Sequence, residues 1–312
     1  MSVCPGSSES VTTTEVDTGR WWGLLGDRVR GELVDVRTMA GGASGSAVYG
    51  LTVVEPAGEF VLKVASRPWL RERARREVTF YRELASHVPV LVPEFFMGGE
   101  ADGSSYLLLA AAGLPTEAER WSEQRWIELA TELGRLHREQ VLASTIDRGA
   151  TGREPASAEK LAAGEHAWRE LGYERLLAPL WANFEALDAA IRELPACLCH
   201  GDCHLGNLLT DPADRFVWID WQEVHVGHGP GDLALLWQRA EVERVNPPRE
   251  EMLTAYAVAR GIPDDVILRR AVVAAELTLV MLEWPTFFPY LPEPARARIR
   301  NRLERLVAAW RR

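Results

Sequence analysis

The chain has 312 residues, 45 acidic against 35 basic, for a net charge of −10. That length can bury a full core in one large domain or two smaller ones, and the acidity argues against a nucleic-acid or anionic-membrane partner. With 47% apolar and 26% charged residues the composition is that of a soluble globular protein.

The first twenty residues, "MSVCPGSSESVTTTEVDTGR", lack the apolar core of a signal peptide and read as a flexible tail. The four cysteines (Cys4, Cys197, Cys199, Cys203) are then expected to be reduced and the protein cytoplasmic. From about residue 34 to 109 the pattern is strand-rich. "VDVRTMAGGASGSAVYGLTVVE" predicts strand, glycine-serine turn, strand. No helix follows the turn, so it is neither a Walker loop nor a Rossmann fingerprint. Its Gly42, Ser44, Gly45 and Ser46 are candidates to bring backbone N–H groups to phosphates, as glycine-rich loops between strands can.

"EFVLKVA" (59–65) predicts a third strand carrying Lys63, one of only two lysines among 35 basic residues. Where a generic cation serves, this chain writes Arg, so Lys63 marks a place for a compact ammonium able to reach phosphate oxygens. In the charged helix that follows (69–87), Leu70, Ala74, Val78, Tyr81, Leu84 and Ala85 form one stripe at 100° per residue. Glu77 falls inside that stripe, while Glu72 and Glu83 fall opposite. A core-facing carboxylate needs a cation or hydrogen bonds, and Lys63 is its natural partner.

"SSYLLLAAAGLP" (104–115) is a last apolar strand running into a small-residue linker, beyond which the chain turns helical. Trp126, Leu129, Ala130, Leu133 and Leu136 recur at helical spacing, and His137 falls on the same stripe as a core histidine. "PPREEMLTAYAVARG" has proline before its start and Gly261 after its end, the punctuation of a helix. The apolar run 271–288, interrupted by Glu276, Glu283 and Pro285, reads as a buried helix rather than a membrane span. Glu276 and Glu283 stand seven apart, about 10 Å along one helix face. That face is either the wet side of the helix or, with Trp221, part of an acceptor-binding wall for a cationic substrate.

The segment "CLCHGDCHLGN", with "VWIDWQ" ten residues on, carries the chemistry. One reading is zinc, from Cys197, Cys199, His200, Cys203 and His204 with His225 and His228. No second C-x-x-C or H-x₃₋₅-H stands at structural spacing, and cysteines on one side of a strand usually pack. The other reading is phosphoryl transfer. It needs a carboxylate to orient the attacking hydroxyl, and a side-chain oxygen and second carboxylate for magnesium. Asp202, Asn207 and Asp220 have that chemistry and order, provided the two segments pair.

These motifs resemble those of the aminoglycoside phosphotransferase/choline kinase family, over about residues 39–237, together with "LGRLH" and "GPGDLALL". The resemblance implies an α+β, bilobal protein-kinase-like fold. It comprises an N-terminal nucleotide-binding lobe over 21–112 and a mainly helical catalytic and acceptor-binding lobe over 113–312. It implies Asp202 as catalytic residue, Asn207 and Asp220 as magnesium ligands, and Lys63 with Glu77 on the phosphates. Leu109 and Ala111, in a hinge without the acidic residue often seen there, would meet the base through backbone. His200 and Asp232 would support the catalytic loop. Only eleven residues separate Asp220 from Asp232, too few for a peptide platform. The expected activity is transfer from ATP (or GTP) with Mg2+ to a hydroxyl of a small molecule, foremost a sugar- or nucleoside-bearing antibiotic such as an aminoglycoside. The alternatives are a metabolic kinase of choline, an amino alcohol or a sugar, a non-catalytic pseudokinase, and a zinc hydrolase.

Overall fold

The β-branched and aromatic residues near the N-terminus build one antiparallel sheet. Its strands are β1 (Leu33–Met39), β2 (Ala47–Val54), β3 (Ala57–Ala65), β4 (Phe95–Ala101) and β5 (Ser104–Ala110), in the order β1-β2-β3-β5-β4. The computed structural model describes residue 25 and residues 33–39, 45–54, 57–139 and 157–312. The predicted tail, 1–20, lies outside them. The alternation of β3 puts Phe60, Leu62 and Val64 into a core with Leu25, Leu51, Val53, Met97 and Leu108. The sheet has one more strand than the sequence pattern had disclosed. β4, "FFMGGEA", has two glycines and a polar end that hide its period.

Contacts divide the chain into two units. One holds the sheet, from residues 1–70 and 95–111; the other comprises residues 71–94 and 112–312. The charged helix begins in the first and continues in the second as α1 (Pro68–Thr79). It does not run unbroken to His87. Residues Phe80–Leu84 form a π-helical turn and Ala85–His87 a 3₁₀ turn. Phe80, which straight-helix geometry leaves outside the apolar stripe, opens the π-helical turn and is fully buried.

In the second unit, α2 (Glu123–Arg138) is capped by Ser122 Oγ, which accepts from the Arg125 amide. Then come α3 (Ala158–Glu170), α4 (Glu174–Ala182) and α5 (Glu185–Arg192), followed by α6 (Pro230–Val242), α7 (Arg249–Arg260), α8 (Val266–Leu282) and α9 (Glu293–Trp310). Gly261 ends α7 in the left-handed conformation. Asp265 caps α8 by accepting from the Ile267 and Leu268 amides. The core gathers Trp168, Leu177, Leu187, Leu277, Val280, Met281 and Leu303, so the apolar run 271–288 is spent on interior packing. No helix among the described residues is long and apolar enough to cross a membrane.

Two small sheets are built on the segment between α5 and α6, one of them with a short strand from before α2. β7 (Cys197–Cys199) pairs with β10 (His225–Gly227), and β8 (Leu208–Thr210) lies between β6 (Leu114–Pro115) and β9 (Phe216–Trp218). They carry the motif segments.

Candidate active site

The β8–β9 hairpin supplies the pairing that the chemistry required. Leu208 faces Trp218, and one step further the Ile219 amide donates to the Asn207 carbonyl at 3.0 Å. Asn207 and Asp220 therefore leave the hairpin from adjacent strand ends. Asp220 takes a left-handed backbone, φ 65° and ψ 58°, which costs a non-glycine residue about 1 kcal/mol. It is sustained because the chain must turn there into the 3₁₀ segment Trp221–Glu223.

Asp202 and Asn207 are joined directly. Asn207 Nδ2 donates to the Asp202 carbonyl at 2.8 Å and to Oδ2 at 3.1 Å, which leaves Asn207 Oδ1 to act as an acceptor. Burial works against the charge of Asp202. His204, with Nε2 at 3.7 Å from Oδ1, the His200 ring and the Asn207 amide more than offset it and hold the carboxyl below the usual range.

His200 is buried and braces the loop from both ring nitrogens. Nδ1 accepts from the Asp202 amide at 3.2 Å, and Nε2–H donates to the Ile219 carbonyl at 3.0 Å. Burial lowers the pKa of this ring. Asp232, in the first turn of α6, takes three donors. They are the His200 amide (2.8 Å) and the Gly201 amide (2.9 Å) of the loop, and His137 Nε2 (3.1 Å). Burial opposes its ionisation, but His137 and the neighbouring histidines bring its pKa to about 2. Gly201 (φ 84°) admits no side chain, since a Cβ would stand 2.1 Å from the Glu223 carbonyl oxygen. His137 is buried as expected, yet it is also a polar link, because Nδ1 pairs with the Tyr256 hydroxyl at 2.8 Å.

Glu77 is 3% exposed, whereas Glu72 and Glu83 are exposed. The Tyr81 hydroxyl is pushed well up by burial and then by the charges of Glu77 and Asp220, so both carboxylates bear on one buried group. Two contacts were not foreseen. Arg73 Nε meets Glu223 Oε1 at 2.9 Å, and Arg76 donates to the Gln222 carbonyl at 3.1 Å. They clamp the segment after Asp220 to α1, and the only hint in the sequence was the arginine run itself.

In the first unit, Lys63 lies mid-strand on β3, between Val48 of β2 and Leu107 of β5. Gly45 (φ 77°) and Ser46 lead into β2; Gly42 and Ser44 lie outside the described residues. Leu109 is buried in β5. The Ala111 amide donates to the Glu59 carbonyl, so an incoming base would have to use the Ala111 carbonyl.

Two expectations for the acceptor are corrected. Trp221 is completely buried and stacks on Phe80, ring centroids 4.0 Å apart and planes 8° from parallel. Its role is packing. Glu276 points away from Glu283 and into the helix bundle, where its Oε1 accepts from Arg249 at 3.0 Å and from Arg302 at 2.8 Å; Arg302 also pairs with Glu241. Glu283, two turns on, is the C-cap of α8. There it pairs with Lys160 on the rim of a cavity of about 640 Å³. Glu276→Gln is therefore expected to destabilise the fold, Arg249 and Arg302 being left to share the Glu241 carboxylate alone, with acceptor KM unchanged. Chemical denaturation and initial-rate kinetics would check this.

The zinc-type side chains mostly disperse into backbone contacts, His225 Nδ1 to the Glu223 carbonyl and His228 Nδ1 to the Leu194 carbonyl. His137, Cys197 and Cys199 are the exception and are considered below.

No curated protein sequence matches the chain. Among solved structures it resembles a choline kinase from Cryptosporidium parvum Iowa II, with a TM-score of 0.64 at 13% identity, covering 92% of this chain and 95% of that one. It also resembles an aminoglycoside 2'-phosphotransferase IIIa mutant in complex with GDP, with a TM-score of 0.62 at 14% identity over 93% and 97%. A third is a spectinomycin phosphotransferase in complex with ADP and spectinomycin, with a TM-score of 0.55 at 14% identity over 94% and 93%. These likenesses establish the bilobal, protein-kinase-like fold of antibiotic phosphotransferases. The model of the phosphotransferase enzyme family matches residues 35–266. The chain belongs to that family, and is an enzyme that transfers a phosphoryl group to a hydroxyl of a small molecule.

Proposed function

We propose that the protein phosphorylates a sugar- or nucleoside-bearing antibiotic from ATP with Mg2+, inactivating it. The observation that carries the catalytic part is the Asp202–Asn207–Asp220 constellation. Asp202 stays ionised, its Oδ2 fixed by the Asn207 amide, and it orients the acceptor hydroxyl and takes its proton. Asn207 Oδ1 and the Asp220 carboxylate, at adjacent strand ends, form a hard oxygen donor set that fits Mg2+. When bound, the ion neutralises charge developing on the nucleotide phosphates. His200, Gly201 and Asp232 hold Asp202 in place. Lys63 supplies a compact ammonium for the nucleotide phosphates. GTP in place of ATP is compatible with the same donor set.

The acceptor reading rests on the cavity beside the loop. Asp232 and Cys199 form part of its wall, with Phe184, Ile191, Leu279 and Leu282 as apolar lining. Its volume suits a drug-sized molecule. The rim carboxylates already have cations, Glu283 with Lys160 and Asp188 with Arg192, which favours an acceptor of low net charge over a polycation. One phenyl ring is not an aromatic cage, which disfavours choline. Incubating the protein with ATP and a panel of macrolides, nucleosides, aminoglycosides and choline, with mass spectrometry for a phosphoryl adduct, tests this. Modification of choline alone would overturn it.

Lys63→Arg should lower kcat/KM for ATP at least about tenfold, a loss of about 1.4 kcal/mol, because a broad guanidinium replaces a compact ammonium in a fitted site. Unchanged ATP kinetics would remove Lys63 from the phosphate site.

A further inference from the structure

The cysteines around the catalytic loop are not needed for phosphoryl transfer, yet two of them converge on a histidine. Cys197 and Cys199 are alternate residues of β7, so their side chains leave the same side of the strand. Their sulfurs are 3.8 Å apart. With His137 they form the only group of three metal-ligand side chains among the described residues, the ligand atoms all lying within 4.8 Å of one another. All three are buried.

Two features make this cluster compatible with a tetrahedral metal. The first is the sulfur separation. At a zinc–sulfur distance of about 2.3 Å, the edge of a tetrahedron is about 3.8 Å. The two sulfurs already stand at that spacing. The second is the arrangement behind the histidine. In its neutral form the His137 ring carries its proton on Nε2, because the Asp232 carboxylate can only accept from it. Nδ1 is left with its lone pair, which accepts from the Tyr256 hydroxyl. The Tyr256 oxygen in turn accepts from Arg260 Nη1 at 2.9 Å, which is consistent with that direction. A carboxylate holding the far N–H of an imidazole fixes its tautomer and raises its basicity, as in metal sites built on histidine. Access is provided as well, because Cys199, Gly229 and Asp232 line the 640 Å³ cavity. A side chain at residue 229 would close the approach to Nδ1, since its Cβ would lie 2.8 Å from that atom.

The geometry points to a binding site for a tetrahedral, thiolate-seeking divalent cation, zinc being the common example. Cys197 Sγ, Cys199 Sγ and His137 Nδ1 are its protein ligands, and the fourth position faces the cavity. The two thiols give up their protons and Nδ1 exchanges the Tyr256 hydroxyl for the metal. The Nε2–Asp232 bond is kept. The site is separate from the oxygen donors Asn207 and Asp220 and does not depend on which molecule is phosphorylated. Because Asp232 also holds the His200 and Gly201 amides, a bound cation would tie the rigidity of the catalytic loop to metal supply.

Cobalt(II) titration of the full-length reduced protein tests the assignment, since thiolate ligation gives an intense near-ultraviolet charge-transfer band. One equivalent should produce the band, zinc should abolish it by competition, and the melting temperature should rise with zinc concentration. The Cys197→Val/Cys199→Val double variant should lose the band. X-ray absorption of the zinc-loaded wild type needs no variant and should show two sulfurs at about 2.3 Å with nitrogen or oxygen near 2.0 Å. A shell of nitrogen and oxygen only, absence of the band in the wild type, or a band that survives in the double variant would overturn the site and leave the cysteines as packing.

Discussion

Asp202→Ala is expected to lower the rate of phosphoryl transfer by about 10²- to 10⁴-fold, the range a positioned proton acceptor contributes, while nucleotide affinity changes little. Asp220→Ala should differ by also weakening Mg2+-dependent nucleotide binding, because it removes a metal ligand rather than the group facing the acceptor. Single-turnover kinetics together with nucleotide titration separates the two. Turnover by Asp202→Ala close to that of the wild type would dismiss the assignment. The carboxyl of Asp202 is held below the usual range despite burial, by His204, His200 and Asn207. It therefore remains charged throughout the neutral and mildly acidic range, and any loss of rate between about pH 5 and 7 must come from other groups.

Asp232→Asn should combine a stability loss of about 3 kcal/mol with a fall in kcat of about 10²-fold. The carboxylate takes three donors, and an amide in its place offers a single acceptor oxygen while turning N–H groups toward a backbone amide. The His200 and Gly201 amides that place Asp202 would lose their anchor, so the effect falls on kcat rather than on nucleotide binding. A pH signature marks the charge itself. The folded pKa is about 2 against about 3.9 for an unfolded aspartate. A depressed carboxylate stabilises the fold fully above the unfolded value, and this contribution is lost as pH falls from about 4 to about 2. That difference corresponds to roughly 2–3 kcal/mol. Unfolding curves of the wild type should show that slope and those of Asp232→Asn should lack it. An identical acid slope in both would show that the carboxylate is not the group holding the loop.

Periodicity and spacing made a good deal of this protein legible. The alternation of β3, the helical stripe ending at His137, the Gly261 stop and the inward place of Glu77 are local properties, set by backbone geometry and the burial of apolar faces. The order Asp202, Asn207, Asp220 stands out in the sequence because phosphoryl transfer asks for those groups whatever surrounds them. What spacing could not decide was the direction of side chains beyond a regular element. Phe80, off the helical stripe, stacks on Trp221, and that tryptophan is spent on interior packing. The end of α8 separated Glu276, bound by two arginines from α7 and α9, from Glu283 on the cavity rim. Asp232 was readable as a loop tie, but its link through His137 to Tyr256 and Arg260 was not, and neither was the approach of His137 to two cysteines sixty residues away. Such meetings depend on how α2, α7 and β7 pack, a long-range arrangement that no local period encodes; chemistry along the segment was written in the sequence, whereas convergence across segments was settled only by the tertiary structure.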